Sequence, residues 1–468
     1  DALYNSSLNP IRSYWSTVNF DSWDPLTYII EESHKRGIEF HAWLNPYRVI
    51  SSGYTKSLSE YASSFQNSHP TLVNNPAGDA NLLLKSTTDG IIMNPGEPVV
   101  RMHIYDTIQE IIDNYDVDAI HFDDYFYNNI SDTQDNATYN KSGYNPWGLS
   151  KANWRREQVN LLMAGIDDLL NNHFLSTGKV VQLGISPTGI YQNAPAGTAG
   201  QEHYSALYCD SVAWIQNGWI DYLLPQTYWG FEHSVAGFAQ LTRYWNNVVK
   251  GYDVNMYMGH GIYMAPGSGW ENSNEIKNRL LNMAMYDRLD GSAFYKYGTF
   301  SDLNNANNII QQGFNLLKND YWSKKVPGSV VRSYANLVPC IQVSNINVQT
   351  ISNQLTIRWQ KIDNVRGYIV YQVLKNQVIN QNNINHLYKY IQTNEITVND
   401  YENYDYYISS VNLANVSSTP TFVDYNVLSG YQAVIDGINA LPIDITLNDE
   451  LTITNLRNAF NQLSSVEQ

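Results

Sequence analysis

Two adjacent carboxylates follow an apolar segment in the first half of the chain, where residues Val117–Tyr127 read VDAIHFDDYFY. The apolar run is short and does not alternate strictly, which is typical of a parallel strand covered on both faces. Acidic side chains at the carboxyl end of such a strand lie where α/β barrels keep their catalytic groups. Aromatic neighbours beside paired acids favour a sugar substrate, because sugar rings stack on aromatic rings. The segment therefore predicts Asp123 and Asp124 as catalytic residues of glycoside chemistry.

The elements that must position this pair alternate along the chain up to about residue 322. Strand-like runs are followed by amphipathic helices, an order that predicts an α/β fold with a parallel sheet. The predicted strands cover 38–43, 117–122, 180–186, 220–226, 254–259 and 292–296. These are six strands, whereas a closed barrel of this type has eight.

Polar and aromatic side chains collect at the predicted carboxyl ends of these strands, which converge on one pocket in a barrel. Hydrogen-bonding groups and flat rings are what sugar hydroxyls and ring faces require. The predicted substrate-binding residues are His41, Trp43, Asn45, Tyr47, Arg48, His121, Tyr125, Ser186, Gln226, Tyr228, Trp229 and His260. Asp118 begins its strand, so we expect it to serve as a turn residue.

Glycoside cleavage usually needs two carboxylates on opposite sides of the bond. The predicted strand ends supply carboxylates only at Asp123 and Asp124, while Glu202 and Glu232 lie in nearby loops. Two hypotheses follow. In the first, a loop acid completes an ordinary pair. In the second, the substrate's own N-acetyl carbonyl attacks the anomeric carbon, one aspartate stabilises that amide and the other protonates the leaving oxygen. Like charges this close raise one pKa, so one carboxyl can remain protonated.

Composition narrows the class of partner. The chain of 468 residues has a formal net charge of −16 and only 15% charged residues, which argues against nucleic acid and anionic membranes. The sequence contains no 18-residue apolar stretch, so we expect no membrane span in this segment. Two distant cysteines give neither metal-ligand spacing nor a disulfide framework. We expect no metal and no cofactor, and Ser186 lacks the elbow motif of a serine hydrolase.

The pattern changes after a linker at 326–340. Short strand-like runs at 355–359, 367–372 and 404–411 predict an antiparallel sandwich over 341–425, with a tryptophan in an early strand. Residues 426–468 return to helical periodicity, in a module too small to bury a core alone.

Several motifs of residues 1–325 resemble the bacterial glycosyl hydrolase-like 10 family, a (β/α)8 barrel group. The motifs are DALY at 1–4, HAWLNPYR at 41–48, NPG at 94–96, VDAIHFDDYFY at 117–127, SP at 186–187 and LPQTYW at 224–229. The resemblance implies that one to two strands precede the first motif in the family. We therefore expect a barrel lacking roughly 60 residues here, judged by the usual size of the fold. Residues 341–425 resemble a fibronectin type III domain, and 426–468 resemble the start of a helical module of surface proteins.

The resemblance implies a glycoside hydrolase acting on a bacterial polysaccharide or oligosaccharide, such as a cell-wall glycan that contains N-acetylhexosamine. Adjacent carboxylates at this strand end look like the arrangement in O-GlcNAc hydrolases, where Gln226 and Tyr228 would bind the acetamido group. The tail modules imply a secreted or cell-surface protein. Alternatives are a non-catalytic carbohydrate-binding surface protein or adhesin on a hydrolase scaffold, and a structural element of a surface assembly, because fold alone does not establish activity.

Overall fold

The computed structural model describes residues 2–53, 57–62, 82–86, 90–267, 269–304, 306–351, 354–399, 401–425, 434–442 and 444–462. The chain divides into two compact units. The first contains Asp1–Lys324 and Gly328–Val338, and the second contains Lys325–Pro327 and Pro339–Gln468. Among the described helices, none is long and apolar enough to cross a membrane.

The first unit is built on two sheets. Its strands are β1 (His41–Leu44), β2 (Arg48–Ile50), β3 (Leu83–Lys85), β4 (Ile91–Met93), β5 (Ala119–Phe122), β6 (Gln182–Ile185), β7 (Tyr222–Leu223), β8 (Asn255–His260) and β9 (Gly291–Phe294). Six of them form one parallel sheet in the order β1-β5-β6-β7-β8-β9, and β2-β4-β3 form a small antiparallel sheet. The six parallel strands confirm the predicted α/β class, although β7 is shorter than expected.

Helices separate the parallel strands. They are α1 (Pro25–Lys35), α2 (Leu58–Ala62), α3 (Pro98–Asn114), α4 (Asn136–Tyr139), α5 (Lys151–Thr177), α6 (Asn193–Ala196), α7 (His203–Ala206), α8 (Ser211–Asn217), α9 (Phe238–Val248), α10 (Glu275–Met283), α11 (Tyr297–Ser301) and α12 (Asn308–Leu316). The start of α1 shows why the sequence folds locally as it does. The Asp24 side chain accepts a hydrogen bond from the Leu26 N–H, and Pro25 occupies the first turn, where its missing N–H costs nothing.

The parallel sheet curls. Trp43 of β1 and Tyr295, which follows β9, contact each other edge to face with ring centroids 6.1 Å apart, although their strands lie at opposite ends of the sheet order. The curl brings the carboxyl ends of the six strands around one opening, as in a barrel.

Three aspartates at the amino ends of alternate strands fix the register of this sheet. Each donates its N–H to a carbonyl of the neighbouring strand and accepts the N–H of that same residue with its carboxylate. The pairs are Asp118 with Phe40, Asp221 with Leu183 and Asp290 with Met256, with carboxylate contacts of 2.6, 2.7 and 2.9 Å. Because a slip by one residue would reverse every side chain, this repeated clamp determines which residues face the interior.

The second unit contains β10 (Asn347–Ile351), β11 (Gln354–Arg358), β12 (Val365–Leu374), β13 (Leu387–Ile391), β14 (Glu395–Val398), β15 (Tyr404–Asn412), β16 (Thr421–Phe422) and α13 (Glu450–Gln462). The strands form two antiparallel sheets, β10-β11-β14 and β13-β12-β15-β16. Residues of both sheets, including Leu355, Trp359 and Tyr368, share one buried core. Sheets that bury a common core in this way form a β-sandwich.

Candidate active site

Asp123 and Asp124 lie directly after β5, at the carboxyl edge of the parallel sheet. The Asp123 side chain is almost fully buried, and its Oδ1 accepts the Asp124 N–H at 2.8 Å and the Gln226 Nε2–H at 3.0 Å. Gln226 Nε2 also donates to the Ser186 carbonyl at 2.8 Å. Since both partners of this nitrogen are acceptors, the orientation of the Gln226 amide is fixed. The amide therefore holds the Asp123 carboxylate in one place.

Asp124 has a strongly raised pKa. Burial, followed by the charge of Asp123 and a side-chain hydrogen bond with it, raises the pKa of Asp124 to about 8. The positive charge of Arg48 opposes this rise in pKa without cancelling it. An ordinary aspartate has a pKa of about 3.9, so this carboxyl still carries its proton at neutral pH. The pair can thus offer a proton donor beside a hydrogen-bonded carboxylate.

Arg48 joins the site from the start of β2. Its guanidinium carbon lies 3.3 Å from the centroid of the Tyr125 ring, a close cation–π contact. The contact places two predicted substrate-binding residues together beside the Asp pair, and it connects the start of β2 to the loop after β5.

Aromatic rings surround the same opening. Tyr295 packs against Trp43 at 6.1 Å, against Tyr263 at 5.5 Å and against Tyr228 at 6.2 Å between ring centroids. Trp43 is 55% exposed and Tyr263 48% exposed, although both are large apolar side chains. Exposed aromatic faces beside a carboxyl pair fit the flat faces of a sugar. Tyr263 and Tyr295 are absent from the predicted substrate-binding residues. Tyr263 lies in a short turn after β8 that has no strand pattern, and Tyr295 lies within the strand predicted at 292–296.

Side chains from outside the loop after β7 hold it in place through hydrogen bonds to its backbone carbonyls. Arg279 Nη1 donates to the Thr227 carbonyl at 2.9 Å, and its Nη2 donates to the Trp229 carbonyl. Trp270 Nε1 donates to the carbonyl between them, that of Tyr228, at 2.6 Å. Arg279 is fully buried between the Trp270 and Phe238 rings. Three consecutive carbonyls are therefore fixed by two side chains from outside the loop.

Other predicted substrate-binding residues face the interior enclosed by the curled sheet and do not lie at its opening. Both ring nitrogens of His41 and of His121 face protein partners, and Ser186 Oγ lies 2.9 Å from His121 Nε2. The His260 ring is buried, with Ser292 Oγ 3.0 Å from its Nε2 and the Phe294 ring stacked on it. Tyr47 is fully buried.

Asn45 and Trp229, the two remaining residues of the predicted set, differ in their contacts. Among the described residues, the buried Asn45 Oδ1 has no hydrogen-bond partner. Trp229 is half-buried against the core of the first unit.

The two loop acids predicted as possible partners of the Asp pair are Glu202 and Glu232, and each has other neighbours. Glu202 accepts the Asn193 N–H at 2.7 Å and the Ser205 hydroxyl at 2.9 Å. Glu232 and His233 line a surface groove of about 660 Å³ beside α10. Within the described ranges, no group of three or more His, Cys, Asp or Glu side chains is placed to hold a metal ion.

Comparison with known proteins finds relatives among glycosyl hydrolases. The chain is 34% identical over 319 residues to glycosyl hydrolase YngK of Bacillus subtilis (strain 168), across 65% of this chain and 58% of that protein. It is 34% identical over 251 residues to glycosyl hydrolase DigH of Escherichia coli (strain K12), across 52% and 54%. The matched region thus spans little more than half the length of these curated relatives.

A solved structure, the PgaB (BpsB) glycoside hydrolase domain from Bordetella bronchiseptica, aligns with a TM-score of 0.39 and 13% identity, over 66% of this chain and 80% of that one. The model of the family glycosyl hydrolase-like 10 matches residues 1–274, more than half of the 468 residues. That match covers the curled parallel sheet through β8, including the Asp pair and Gln226. The chain belongs to the glycosyl hydrolase-like 10 family.

Proposed function

We propose that this chain is a glycoside hydrolase in which Asp124 is the general acid and Asp123 is the charged stabiliser beside it. The observation that carries the proposal is the raised pKa of Asp124, about 8, next to a carboxylate held by two N–H donors. A general acid works best when its pKa is near the working pH, because it is then protonated and still able to donate. The pair also lies at the edge of the sheet where barrel enzymes carry out their chemistry.

The mechanism that fits adjacent carboxylates is substrate-assisted. The substrate's N-acetyl carbonyl oxygen attacks the anomeric carbon while Asp124 donates its proton to the leaving glycosidic oxygen, and the glycosidic bond breaks. Asp123 accepts a hydrogen bond from the N–H of the cyclising amide and stabilises its positive charge. Water then attacks the anomeric carbon and returns a proton to Asp124, and the ring bond to the carbonyl oxygen opens. An ordinary pair needs a second carboxylate across the bond, and Glu202 is engaged with Asn193 and Ser205.

The substrate class we propose is a bacterial polysaccharide that contains N-acetylhexosamine. Trp43, Tyr263 and Tyr295 supply the exposed ring faces for its sugars. Arg48, Tyr125, Tyr228, Trp229 and Asn45 supply the remaining contacts that we propose at this opening. Both amide hydrogens of Gln226 already bond protein acceptors, so we propose that Gln226 acts on the substrate through Asp123.

The test is a hydrolysis screen of the full-length protein against chitooligosaccharides, peptidoglycan and deacetylated counterparts. We expect products only from N-acetylated substrates, and a loss of about 10²- to 10⁴-fold in turnover for D124N and D123N. D132N is the matched control, because the Asp132 side chain is 92% exposed. Each variant's sugar affinity is measured by calorimetry beside its turnover.

The outcomes separate the candidate functions. Loss of turnover with retained sugar binding in D123N and D124N supports the enzyme. Sugar binding with no turnover by the unmodified protein favours a non-catalytic carbohydrate-binding surface protein and overturns the proposal. Cleavage of deacetylated substrates at equal rate removes the substrate-assisted step and returns the choice to a loop acid.

We further propose that the second unit includes a fibronectin type III-like domain and part of a helical module, which hold a secreted or surface-attached enzyme near the cell wall. The two antiparallel sheets with their common core support the first assignment. Fractionation of the native organism tests the location, and recovery of the protein only from the cytoplasm would contradict it.

A further inference from the structure

A continuous chain of polar side chains crosses the interior of the parallel sheet below the Asp pair. Glu39 Oε2 lies 3.0 Å from His41 Nε2, and His41 Nδ1 lies 2.8 Å from the Tyr222 hydroxyl. The same hydroxyl lies 2.9 Å from His121 Nδ1, and His121 Nε2 lies 2.9 Å from Ser186 Oγ. Barrel interiors are filled mainly by branched apolar side chains. A polar chain at this place breaks that rule, and such breaks are expected where function requires them.

The Tyr222 ring reaches both histidines only because of a glycine. The ring crosses over Gly184 on the adjacent strand β6, where an added Cβ would lie 1.8 Å from the Tyr222 Cζ. Tyr222 is buried, and its ring stacks on that of His121 with centroids 5.7 Å apart and planes at 13°. A glycine inside a strand marks a close approach of this kind.

Counting hydrogens links the tautomer of His121 to the Tyr222 hydroxyl. Burial lowers the pKa of His121 to about 3, so its ring is neutral and has one donor nitrogen and one acceptor nitrogen. The Tyr222 hydroxyl has one hydrogen, which it donates to one of the two nitrogens that face it, His41 Nδ1 and His121 Nδ1, while its oxygen accepts from the other. Each placement of that hydrogen fixes one tautomer of His121, because Nδ1 and Nε2 of a neutral ring carry one proton between them. Ser186 Oγ is the partner at His121 Nε2, and its other contact, to the Phe122 carbonyl, is longer at 3.3 Å.

The last member of the chain is also the residue that holds Gln226. The Ser186 carbonyl accepts one hydrogen of the Gln226 amide, and Asp123 Oδ1 accepts the other. A movement of Ser186 therefore moves the amide that fixes Asp123. The orientation imposed on His121 by Tyr222 passes to Asp123 through two residues.

We propose that Tyr222 is a positioning residue for the reaction at the Asp pair, acting through His121, Ser186 and Gln226. This inference rests on the proposed function, because it assigns Asp123 a role in the reaction. Under this proposal the placement of Asp123 depends on the phenol of Tyr222, which lies on a different strand and acts without touching the substrate.

The test replaces Tyr222 by phenylalanine, which removes the oxygen and keeps the ring. Y257F is the matched control, because Tyr257 lies on the next strand and packs against Tyr222 at 5.7 Å without joining the chain. We expect Y222F to lower kcat by about tenfold to a hundredfold with KM nearly unchanged, since small misplacements of reacting groups have effects of that size. We expect Y257F to leave kcat within about twofold of its original value.

A second measurement does not depend on turnover. Nitrogen-15 NMR of histidine-labelled protein should show His121 in a single neutral tautomer, and Y222F should change that signal while Y257F should not. An unmodified protein that cleaves no glycan refutes the proposed function, and the crystal positions of Gln226 and Asp123 in Y222F then decide the inference. A stability loss in Y222F with unchanged kcat, or with those two side chains and the His121 tautomer in place, overturns it.

Discussion

The raised pKa of Asp124 predicts a specific dependence of stability on pH. The folded protein keeps this proton up to about pH 8, whereas the unfolded chain releases it near pH 3.9. Between these values the folded state binds one more proton, so its stability decreases as pH rises, by about 1.4 kcal/mol per pH unit at most. From pH 5 to pH 7 this one group should lower the free energy of unfolding by about 2 to 3 kcal/mol.

The perturbation is D124N, which replaces the carboxyl by a neutral amide of the same shape. Urea unfolding at pH 5, 6 and 7 gives the free energy of unfolding for both proteins, followed by tryptophan fluorescence. Every tryptophan except Trp359 lies in the first unit, so the signal reports the unit that contains the site. Burial also raises the pKa values of Asp167 and Asp221, to about 6, but these groups are the same in both proteins and cancel in the difference.

We expect D124N to gain stability relative to the unmodified protein as pH rises, with the difference growing by about 2 to 3 kcal/mol from pH 5 to pH 7. D132N, at an aspartate whose side chain is 92% exposed, is the control for the substitution itself. A difference between D124N and the unmodified protein that is constant across this range would refute the assignment of a protonated Asp124. The general acid of the proposed reaction would then have to be sought elsewhere.

Three further predictions concern packing, substrate contact and a buried ion pair. G184A should lower the free energy of unfolding by about 1 to 3 kcal/mol in urea titration, because the new Cβ would meet the Tyr222 ring at 1.8 Å. G298A should change it by less than about 0.5 kcal/mol, because its Cβ would meet only Lys296 Cε at 3.8 Å. W43A should raise KM for an oligosaccharide about three- to tenfold with an unchanged melting temperature, since one aromatic contact is worth about 0.5 to 1.5 kcal/mol; an unchanged KM would place the sugar elsewhere. D135N should cost about 3 to 5 kcal/mol of stability by calorimetry, because it removes the buried carboxylate 2.7 Å from the buried Arg155 and leaves that guanidinium with the exposed Asp132 carboxylate at 3.4 Å. A cost below about 1 kcal/mol would show that Asp132 or water compensates the charge.

The sequence predicted the elements whose signals are local. Helices α1 and α8 carry such signals, because each begins after an aspartate cap and ends near a glycine. The six parallel strands are found in the predicted order, since each is a short apolar run. Asp123 and Asp124 were predicted as a pair because they end one of those runs.

Features that depend on contacts between strands could not be predicted from the sequence. Nothing in the run around Tyr222 shows that its ring crosses β6 to reach two histidines, although the glycine at 184 is a weak signal of close approach. The clamp was missed at all three positions. Asp118 was expected to be a turn residue, and an aspartate before a strand is indistinguishable from a turn residue in one sequence. The antiparallel sheet of β2, β3 and β4 escaped prediction because each strand has only three residues.

The backbone support of the loop after β7 has a consequence for how this protein can evolve. Arg279 and Trp270 bond the carbonyls of Thr227, Tyr228 and Trp229, which every amino acid has. The side chains at 228 and 229 can therefore be exchanged without loss of the bonds that keep the loop in place. Under the proposed function, substrate preference can drift by single substitutions at these positions while the loop keeps its shape, whereas a change at Arg279 removes two of the three bonds together.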